Sequence, residues 1–151
     1  MLIFAEKNQV LREMFKGAFP DIEVVEDMFS VPEPKNVVTC SNKWLSMGGG
    51  LDALIAKHYP EECARAKSQI GNGTMNDLMT PFCIGNVVFA VTVDDNLQAD
   101  IGAIRNSLAF IFKMLLPHAE TYVFTGMGAG IGGLDNESFI KLCKQAYEQK
   151  Y

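Results

Sequence analysis

Residues 37–55 read VVTCSNKWLSMGGGLDALI, an apolar strand that leads through three consecutive glycines, Gly48 to Gly50, into a helix opening with Leu51 and Asp52. Glycine lets the backbone approach a ligand closely and adopt positive φ. The first turn of a helix offers unpaired N–H groups and a dipole that favours anions. Ligands of open α/β sheets bind outside the carboxyl ends of strands. The stretch therefore predicts an anion site, built from backbone groups, at a strand end.

A second glycine cluster stands in the same context. Residues 121–125 (TYVFT) form an apolar strand, residues 126–133 read GMGAGIGG, and a helix is predicted from about Asn136 with Asp135 as its N-cap. Two such turns at one rim of a sheet predict a diphosphate clamp made of main-chain groups, which needs no basic side chains. The alternative is that the glycines only make tight strand-to-helix turns.

Strands and helices alternate along the rest of the chain. The predicted strands are residues 2–5, 21–25, 36–40, 79–84, 86–93 and 121–125, and the predicted helices are residues 9–19, 51–59, 60–70, about 97–116 and about 136–147. This order predicts an α/β fold, namely a three-layer α/β/α sandwich around a mixed, mostly parallel sheet of about six strands. We expect residues 1–151 to form a single domain, because the length suits one core.

Composition limits the classes of function. The net charge is −5, which argues against general nucleic-acid binding, since that binding depends on clustered Lys and Arg. The four cysteines, Cys40, Cys63, Cys83 and Cys143, form no metal-like or paired spacing, so we expect no metal site, no disulfide scaffold and a cytoplasmic location. No apolar run reaches about 18 residues, so we expect no membrane span.

The second cluster also fits a dinucleotide-binding pattern, G-x-G-x-x-G, through Gly128, Gly130 and Gly133. That interpretation requires a further strand with an acidic residue about 20 positions on, and the sequence ends at Tyr151 before such a strand. No G-x-x-x-x-G-K-[ST] motif is present either, so a nucleotide triphosphatase has no support.

Three motifs together resemble those of macro domains. Residues 37–55 resemble the signature in which an apolar strand ends in an asparagine and a glycine run opens a helix. Residues 125–139 (TGMGAGIGGLDNESF) resemble the second glycine-rich signature, over the diphosphate and the distal ribose. Residues 24–28 (VVEDM) resemble the V-x-G-D-I segment, whose aspartate holds the adenine amino group.

The resemblance implies a ligand, ADP-ribose or a derivative, and a set of site residues. The implied catalytic residues are Asn42, which would hold the ribose hydroxyls, and Asp52, which would orient or activate a water; they stand ten positions apart, as in macro domains that hydrolyse ADP-ribose derivatives. Asp135 is the competing carboxylate. The implied binding residues are Asp27, Met28, Gly48, Gly49, Gly50, Leu51, Gly126, Gly128, Ala129, Gly130, Ile131 and Gly132. No cofactor and no metal are implied.

The sequence departs from the family pattern at several positions. Glu26 replaces a glycine, Cys40 and Ser41 replace two alanines, Met47 replaces the first glycine of a four-glycine run, and Ile131 stands where many relatives have an aromatic residue. The second loop resembles the branch of ADP-ribose-1″-phosphate phosphatases and a terminal ADP-ribose–glutamate hydrolase. Asn42 with Asp52 resembles instead the branch that removes single ADP-ribose units from acidic side chains and deacetylates O-acetyl-ADP-ribose.

Three functions therefore stay open. The first is a hydrolase acting at the distal ribose, either of ADP-ribose-1″-phosphate or of a mono-ADP-ribosylated protein or nucleic acid. The second is a module that binds ADP-ribose without turnover. The third is a degenerate relative that binds nothing, and Glu26 is the residue that would most readily prevent binding. The fold by itself does not choose among them.

The order of elements suggests a circular permutation. Residues 1–19 (MLIFAEKNQVLREMFKGAF) resemble the terminal strand and helix of other macro domains. We therefore expect the strand at residues 2–5 to lie between the strands at residues 21–25 and 121–125.

Overall fold

Six strands form one mixed sheet in the computed structural model, which describes residues 1–71, 80–96, 98–127 and 133–149. The strands are β1 Leu2–Ala5, β2 Glu23–Val25, β3 Asn36–Val38, β4 Phe82–Ile84, β5 Val87–Phe89 and β6 Tyr122–Phe124. The helices are α1 Gln9–Ala18, α2 Gly50–His58, α3 Pro60–Ile70, α4 Ile101–Phe110 and α5 Asn136–Glu148. A 3₁₀ turn spans Met28–Ser30, and a π-helical turn at Ile111–Leu115 continues α4.

The strand order is β2-β1-β6-β3-β5-β4. Every neighbouring pair is parallel except β4 and β5, which join as an antiparallel hairpin. The first strand of the chain is therefore an interior strand, with Phe4 opposite Val24 on one side and Phe124 on the other. The expected position of this strand, between β2 and β6, is confirmed.

Successive side chains of β1 enter two different cores, because a strand directs alternate residues to opposite faces of its sheet. Leu2 and Phe4 pack on the side of α1, α4 and α5, whereas Ile3 and Ala5 pack on the side of α2 and α3. Helices thus cover both faces, and the predicted three-layer α/β/α architecture is confirmed.

Phenylalanines dominate the core on the side of α1, α4 and α5. The Phe4 ring stacks on Phe15 at 4.0 Å between centroids and meets Phe124 edge-on at 5.2 Å. Phe139 of α5 is stacked 6.0 Å from Phe4 on the same side. We call Phe4, Phe15, Phe124 and Phe139 the aromatic cluster; all four are fully buried.

Several element boundaries differ from the sequence-based expectation. Helix α4 begins at Ile101 because Asp100 caps it, its Oδ1 accepting from the N–H of Ala103 at 3.1 Å. Strand β5 ends at Phe89, and Val91 continues only as an isolated bridge to Ser41. Residues 79 and 97, where two predicted elements begin, lie outside the described residues.

The carboxyl ends of β1, β2, β3, β5 and β6 meet along one rim, because these strands run parallel. The segments that leave the strands there are the ones that carry the candidate site residues. Among the described residues, no helix is both long enough and apolar enough to cross a bilayer.

Candidate ligand-binding cleft

A cleft of about 420 Å³ opens at this rim. Five segments contribute to its wall, and each follows a strand or begins a helix. They are residues 5–8, 26–29, 49–52, 92–93 and 125–126. The volume falls within the range of small-molecule sites.

The N-terminus of α2 reaches the cleft without a side-chain cap. Its N-cap is Gly49, which has no side chain to accept from the first amides, and the first helical bond runs from the N–H of Ala53 to the Gly49 carbonyl. By contrast, side chains cap α1, α4 and α5 through Asn8, Asp100 and Asp135. The backbone of Gly50 has φ +55°, a conformation that favours glycine. The amides of Gly50, Leu51 and Asp52 are thus available to an anion in the cleft.

Asp52 lies in the first turn of α2 with only 7% of its surface exposed. Its Oδ1 accepts a hydrogen bond from the N–H of Cys40 at 3.1 Å, across the end of β3. Burial raises the pKa of the Asp52 carboxyl above its ordinary value, while the Ser41 hydroxyl and the Cys40 N–H act in the opposite direction. A carboxyl of this kind can exchange a proton with a bound water more readily than a solvated aspartate can.

Asn42 does not line the cleft, and its side chain is used inside its own loop. Its Oδ1 accepts from the N–H groups of Trp44 at 3.1 Å and Ser46 at 3.3 Å, and its Nδ2 donates to the Ser46 hydroxyl at 3.2 Å. The structure therefore places Asn42 as the residue that shapes the β3–α2 loop. A contact with a ribose stays a prediction.

Asp27 and Met28, which follow β2, also line the cleft. Oδ1 of Asp27 accepts from the N–H of Phe29 at 3.0 Å and so caps the 3₁₀ turn. Its second oxygen accepts no hydrogen bond within the described part of the chain and remains open to a ligand donor. Lys35 stabilises the end of this turn, because its buried ammonium donates to the carbonyl of Val31, the C-cap residue, at 2.7 Å.

Glu6 is a site residue that sequence reasoning missed. It follows β1 directly, and its Oε1 accepts from the Thr125 hydroxyl at 3.0 Å and from the N–H of Gly126 at 3.1 Å. The first amide of the second glycine cluster is therefore already occupied by a side chain of the protein. No local pattern signals this contact, since about 120 residues separate the partners.

The comparisons with known proteins concern the fold. No family model matches the sequence, and neither does any curated protein. Among solved structures, the macrodomain of Mycobacterium tuberculosis DarG superposes with a TM-score of 0.63 at 18% identity, over 97% of this chain and 90% of that one. The chain has a macro domain fold. A protein of unknown function from Bacteroides thetaiotaomicron matches with a TM-score of 0.58 at 17% identity, over 95% and 89% of the two chains.

A third structure was solved with a ligand. Thermosipho africanus DarTG, in complex with ADP-ribose, matches with a TM-score of 0.51 at 15% identity. The match covers 97% of this chain but only 50% of the DarTG chain. At these identities the three likenesses show the fold alone.

The cleft of this chain gathers most of the described residues that the motifs singled out. Those that line it are Asp27, Met28, Gly49, Gly50, Leu51, Asp52 and Gly126. Gly48 and Asn42 do not line it, and Gly128, Ala129, Gly130, Ile131 and Gly132 lie outside the described residues. Asp135 caps α5, as expected, through a 2.8 Å bond from the N–H of Ser138.

The described lining of the cleft is mostly acidic among its charged residues. Of the described residues that line it, Glu6, Glu26, Asp27 and Asp52 are acidic, and Lys7 is the one basic residue. At its floor, burial raises the pKa of the Cys40 thiol, and the charges of Asp52 and Glu6 raise it further. Among the described lining groups, the amides at the start of α2 and the Lys7 ammonium are the ones that favour a phosphate by dipole or charge. Within the described ranges, no group of three or more His, Cys, Asp or Glu side chains is placed to hold a metal ion.

A side-chain bond ties the β3–α2 loop to the segment after β5. The indole Nε1 of Trp44 donates to Oδ1 of Asp95 at 2.9 Å, and the ammonium of Lys43 lies 5.6 Å from the indole centre. The loop also holds Leu45 and Met47 at positive φ, 53° and 54°, which non-glycine residues rarely adopt. The bond to Asp95 thus helps to hold a strained loop beside the cleft.

We expect Asp95→Ala to release this loop, because a lost hydrogen bond of about 1 kcal/mol is comparable to the strain of one positive φ. Trp44 is the only tryptophan, so its fluorescence reports the loop alone. Emission should shift to longer wavelength and acrylamide quenching should increase, whereas Asp21→Ala, a change of another exposed acid, should leave both as in the wild type. Unchanged quenching in Asp95→Ala would show that the bond does not hold the loop.

Proposed function

We propose that this macro domain binds ADP-ribose or one of its derivatives in the cleft at the strand rim. The observation that carries the proposal is the uncapped N-terminus of α2, whose amides open onto a cleft of the right size. Support for this choice of ligand comes from DarTG, a protein that shares the fold and was solved in complex with ADP-ribose.

Two segments that line the cleft orient the ligand. The diphosphate lies against the amides of Gly50, Leu51 and Asp52, where the helix dipole favours negative charge. The adenine amino group donates to the second oxygen of Asp27. The distal ribose then lies toward Asp52.

Hydrolysis at the distal ribose is the finer part of the proposal, and Asp52 is the residue that would perform it. A water gives a proton to the Asp52 carboxylate while its oxygen bonds to C1″. The bond from C1″ to the leaving oxygen breaks, and the proton passes from Asp52 to that oxygen. The burial that raises the pKa of Asp52 supports this role, because a base titrating closer to neutrality accepts a proton more readily.

The second candidate function is a reader, meaning a module that binds ADP-ribose without turnover, and the position of Asn42 favours it. The side chain predicted to hold the ribose makes three hydrogen bonds within its own loop and does not line the cleft. A ligand bound without that contact is held less firmly at C1″, and positioning supplies much of the rate of such reactions.

Two experiments test the proposal. The first is calorimetry with ADP-ribose. The second is incubation with ADP-ribose-1″-phosphate and with a peptide that is ADP-ribosylated on an acidic side chain. Heat with ADP-ribose and release of phosphate or of free peptide would support the hydrolase. Heat without product would support the reader. Absence of heat with ADP-ribose would contradict the proposed ligand altogether.

Asp27→Asn should weaken ADP-ribose binding about tenfold while leaving ribose 5-phosphate binding unchanged, since a hydrogen bond to a charged group contributes about 1.5–3 kcal/mol. Asparagine has one oxygen, which the N–H of Phe29 already uses, so no acceptor is left for adenine. Calorimetry with the two ligands measures the difference, and Asp21→Asn is the matched control. Equal losses for both ligands would place Asp27 outside the adenine contact.

A further inference from the structure

Glu6 occupies the junction between two interior strands at the rim of the cleft. Its Oε1 accepts from the Thr125 hydroxyl at 3.0 Å and the N–H of Gly126 at 3.1 Å, and its Oε2 accepts from the N–H of Asn8 at 2.9 Å. One carboxylate thus joins the end of β1, the start of α1 and the start of the second glycine cluster. Its removal would free all three donors at once.

Within the described residues, no cation is paired with the Glu6 carboxylate. Arg12 is close by, but its Nη1 donates to the backbone carbonyls of Glu6 and Lys7, at 2.8 and 2.9 Å, rather than to the carboxylate. In the described part of the chain, the one pair of side chains close enough to form an ion pair is His118 with Glu120, which lie 3.8 Å apart and away from the cleft and pair only when the imidazole is protonated. The carboxylate therefore presents an unpaired negative charge at the cleft wall.

Glu6 and Asp52 act on the same floor of the cleft. Both line it, and the charges of both reach the thiol of Cys40. A ligand that already carries a diphosphate meets this field inside the cleft, and each added phosphate increases the repulsion, since charges within one partly buried cleft are screened by salt only in part.

We propose that Glu6 has two roles: it anchors the start of the second glycine cluster, and its charge selects against ADP-ribose derivatives that carry a terminal phosphate. The substrate class is then ADP-ribose that is free or joined to an uncharged linkage, rather than ADP-ribose-1″-phosphate. The selection rests on the proposed function, whereas the anchor does not depend on any ligand.

Two substitutions separate the roles. Glu6→Gln removes the charge but keeps an oxygen that accepts from Thr125 and Gly126, whereas Glu6→Ala removes both charge and acceptor. Thr125→Val keeps the charge and removes one donor, and it serves if Glu6→Ala does not fold. Glu13→Gln is the matched control, because Glu13 is an exposed acid on α1 away from the cleft.

Amide hydrogen exchange followed by NMR in the ligand-free protein tests the anchor. Exchange at Gly126 should be about tenfold faster in Glu6→Ala, faster in Thr125→Val, and close to wild type in Glu6→Gln, because a hydrogen bond is lost only in the first variant and weakened in the second. Rescue by glutamine is the signature of anchoring. Wild-type exchange at Gly126 in both Glu6→Ala and Thr125→Val would overturn the anchor.

Calorimetry with ADP-ribose and ADP-ribose-1″-phosphate tests the selection. Glu6→Gln should tighten ADP-ribose about threefold and ADP-ribose-1″-phosphate about tenfold, since the added phosphate carries more charge. Equal gains for both ligands, or no gain, would overturn the selection. Absence of ADP-ribose binding by the wild type would reject the proposed function and the selection together, while the exchange rates would still decide the anchor.

Discussion

In the hydrolysis that we propose at the distal ribose, Asp52→Asn is expected to stop turnover, and it should also make the folded protein more stable. Asparagine keeps the size of the side chain and an oxygen for the N–H of Cys40, but it cannot accept a proton from water. Loss of a general base typically lowers the rate by a factor of about 10²–10⁴. Single-turnover assays with an ADP-ribosylated acidic peptide measure this loss.

The gain in stability follows from the burial of the carboxyl. Because burial raises the pKa of Asp52 in the folded state above 3.8, the folded protein holds a proton that the unfolded chain releases in the interval between the two pKa values. The contribution of Asp52 to stability is therefore complete below its ordinary pKa and falls as the pH rises through the raised one. Above the raised pKa the buried carboxylate is charged and lowers the free energy of unfolding, and asparagine removes that cost.

Urea unfolding at two pH values checks the expected gain. At pH 7 the free energy of unfolding of Asp52→Asn should exceed that of the wild type by about 1 kcal/mol, equivalent to a rise in Tm of about 2–4 °C. Below about pH 4 the two proteins should converge, because both are then uncharged at this position. Glu13→Gln should change neither value. Retained activity, or a variant less stable than the wild type at pH 7, would remove Asp52 from this role.

Phe4→Ala is expected to lower the free energy of unfolding by about 3–5 kcal/mol, because it leaves a cavity at the centre of the aromatic cluster. Phe4 is fully buried and contacts the rings of Phe15, Phe124 and Phe139. A loss of this size is a large part of the total stability of a domain. The variant should therefore unfold at a much lower urea concentration.

Urea unfolding followed by circular dichroism measures the effect. Phe4→Leu should lose less, since it fills part of the cavity, and Val10→Ala should change the free energy by less than about 0.5 kcal/mol, because Val10 is 62% exposed on α1. Had β1 been an edge strand, its residues would pack less deeply. A small loss in Phe4→Ala would contradict the interior position of β1.

Features that depend on neighbouring residues could be predicted from the sequence. Patterns within a few positions predict the order of strands and helices. They also predict the cap of α5 by Asp135, the end of α3 at Gly71 and the glycines that open α2. The interior position of β1 was also predictable, but only through the resemblance to macro domains. Within the cleft, the glycines that open α2 were predictable from their place between a strand and a helix, whereas Asp27 and Asp52 were predictable only as what the resemblance implies.

Features that depend on distant residues could not be predicted in this way. Glu6 meets Gly126 across about 120 positions, and Trp44 meets Asp95 across 51. Asn42 matched its motif, yet its side chain turns back into its own loop. The two long-range contacts arise only when the sheet places the ends of β1, β3, β5 and β6 side by side, whereas the bonds of Asn42 lie within four positions and were missed because the motif alone does not fix the direction of its side chain.

The division has a physical cause. The spacing of apolar residues, the helix caps and the glycine turns all involve residues about four positions apart or fewer. The chain therefore specifies its helices, its strands and the open end of α2 locally. Strand pairing brings together the side chains that decide three other features. These are the hydrogen bond from the Gly126 amide to Glu6, the acidic surroundings of Cys40 and the burial of Asp52. Tertiary structure therefore decided which polar groups in the cleft remain free to bind a ligand.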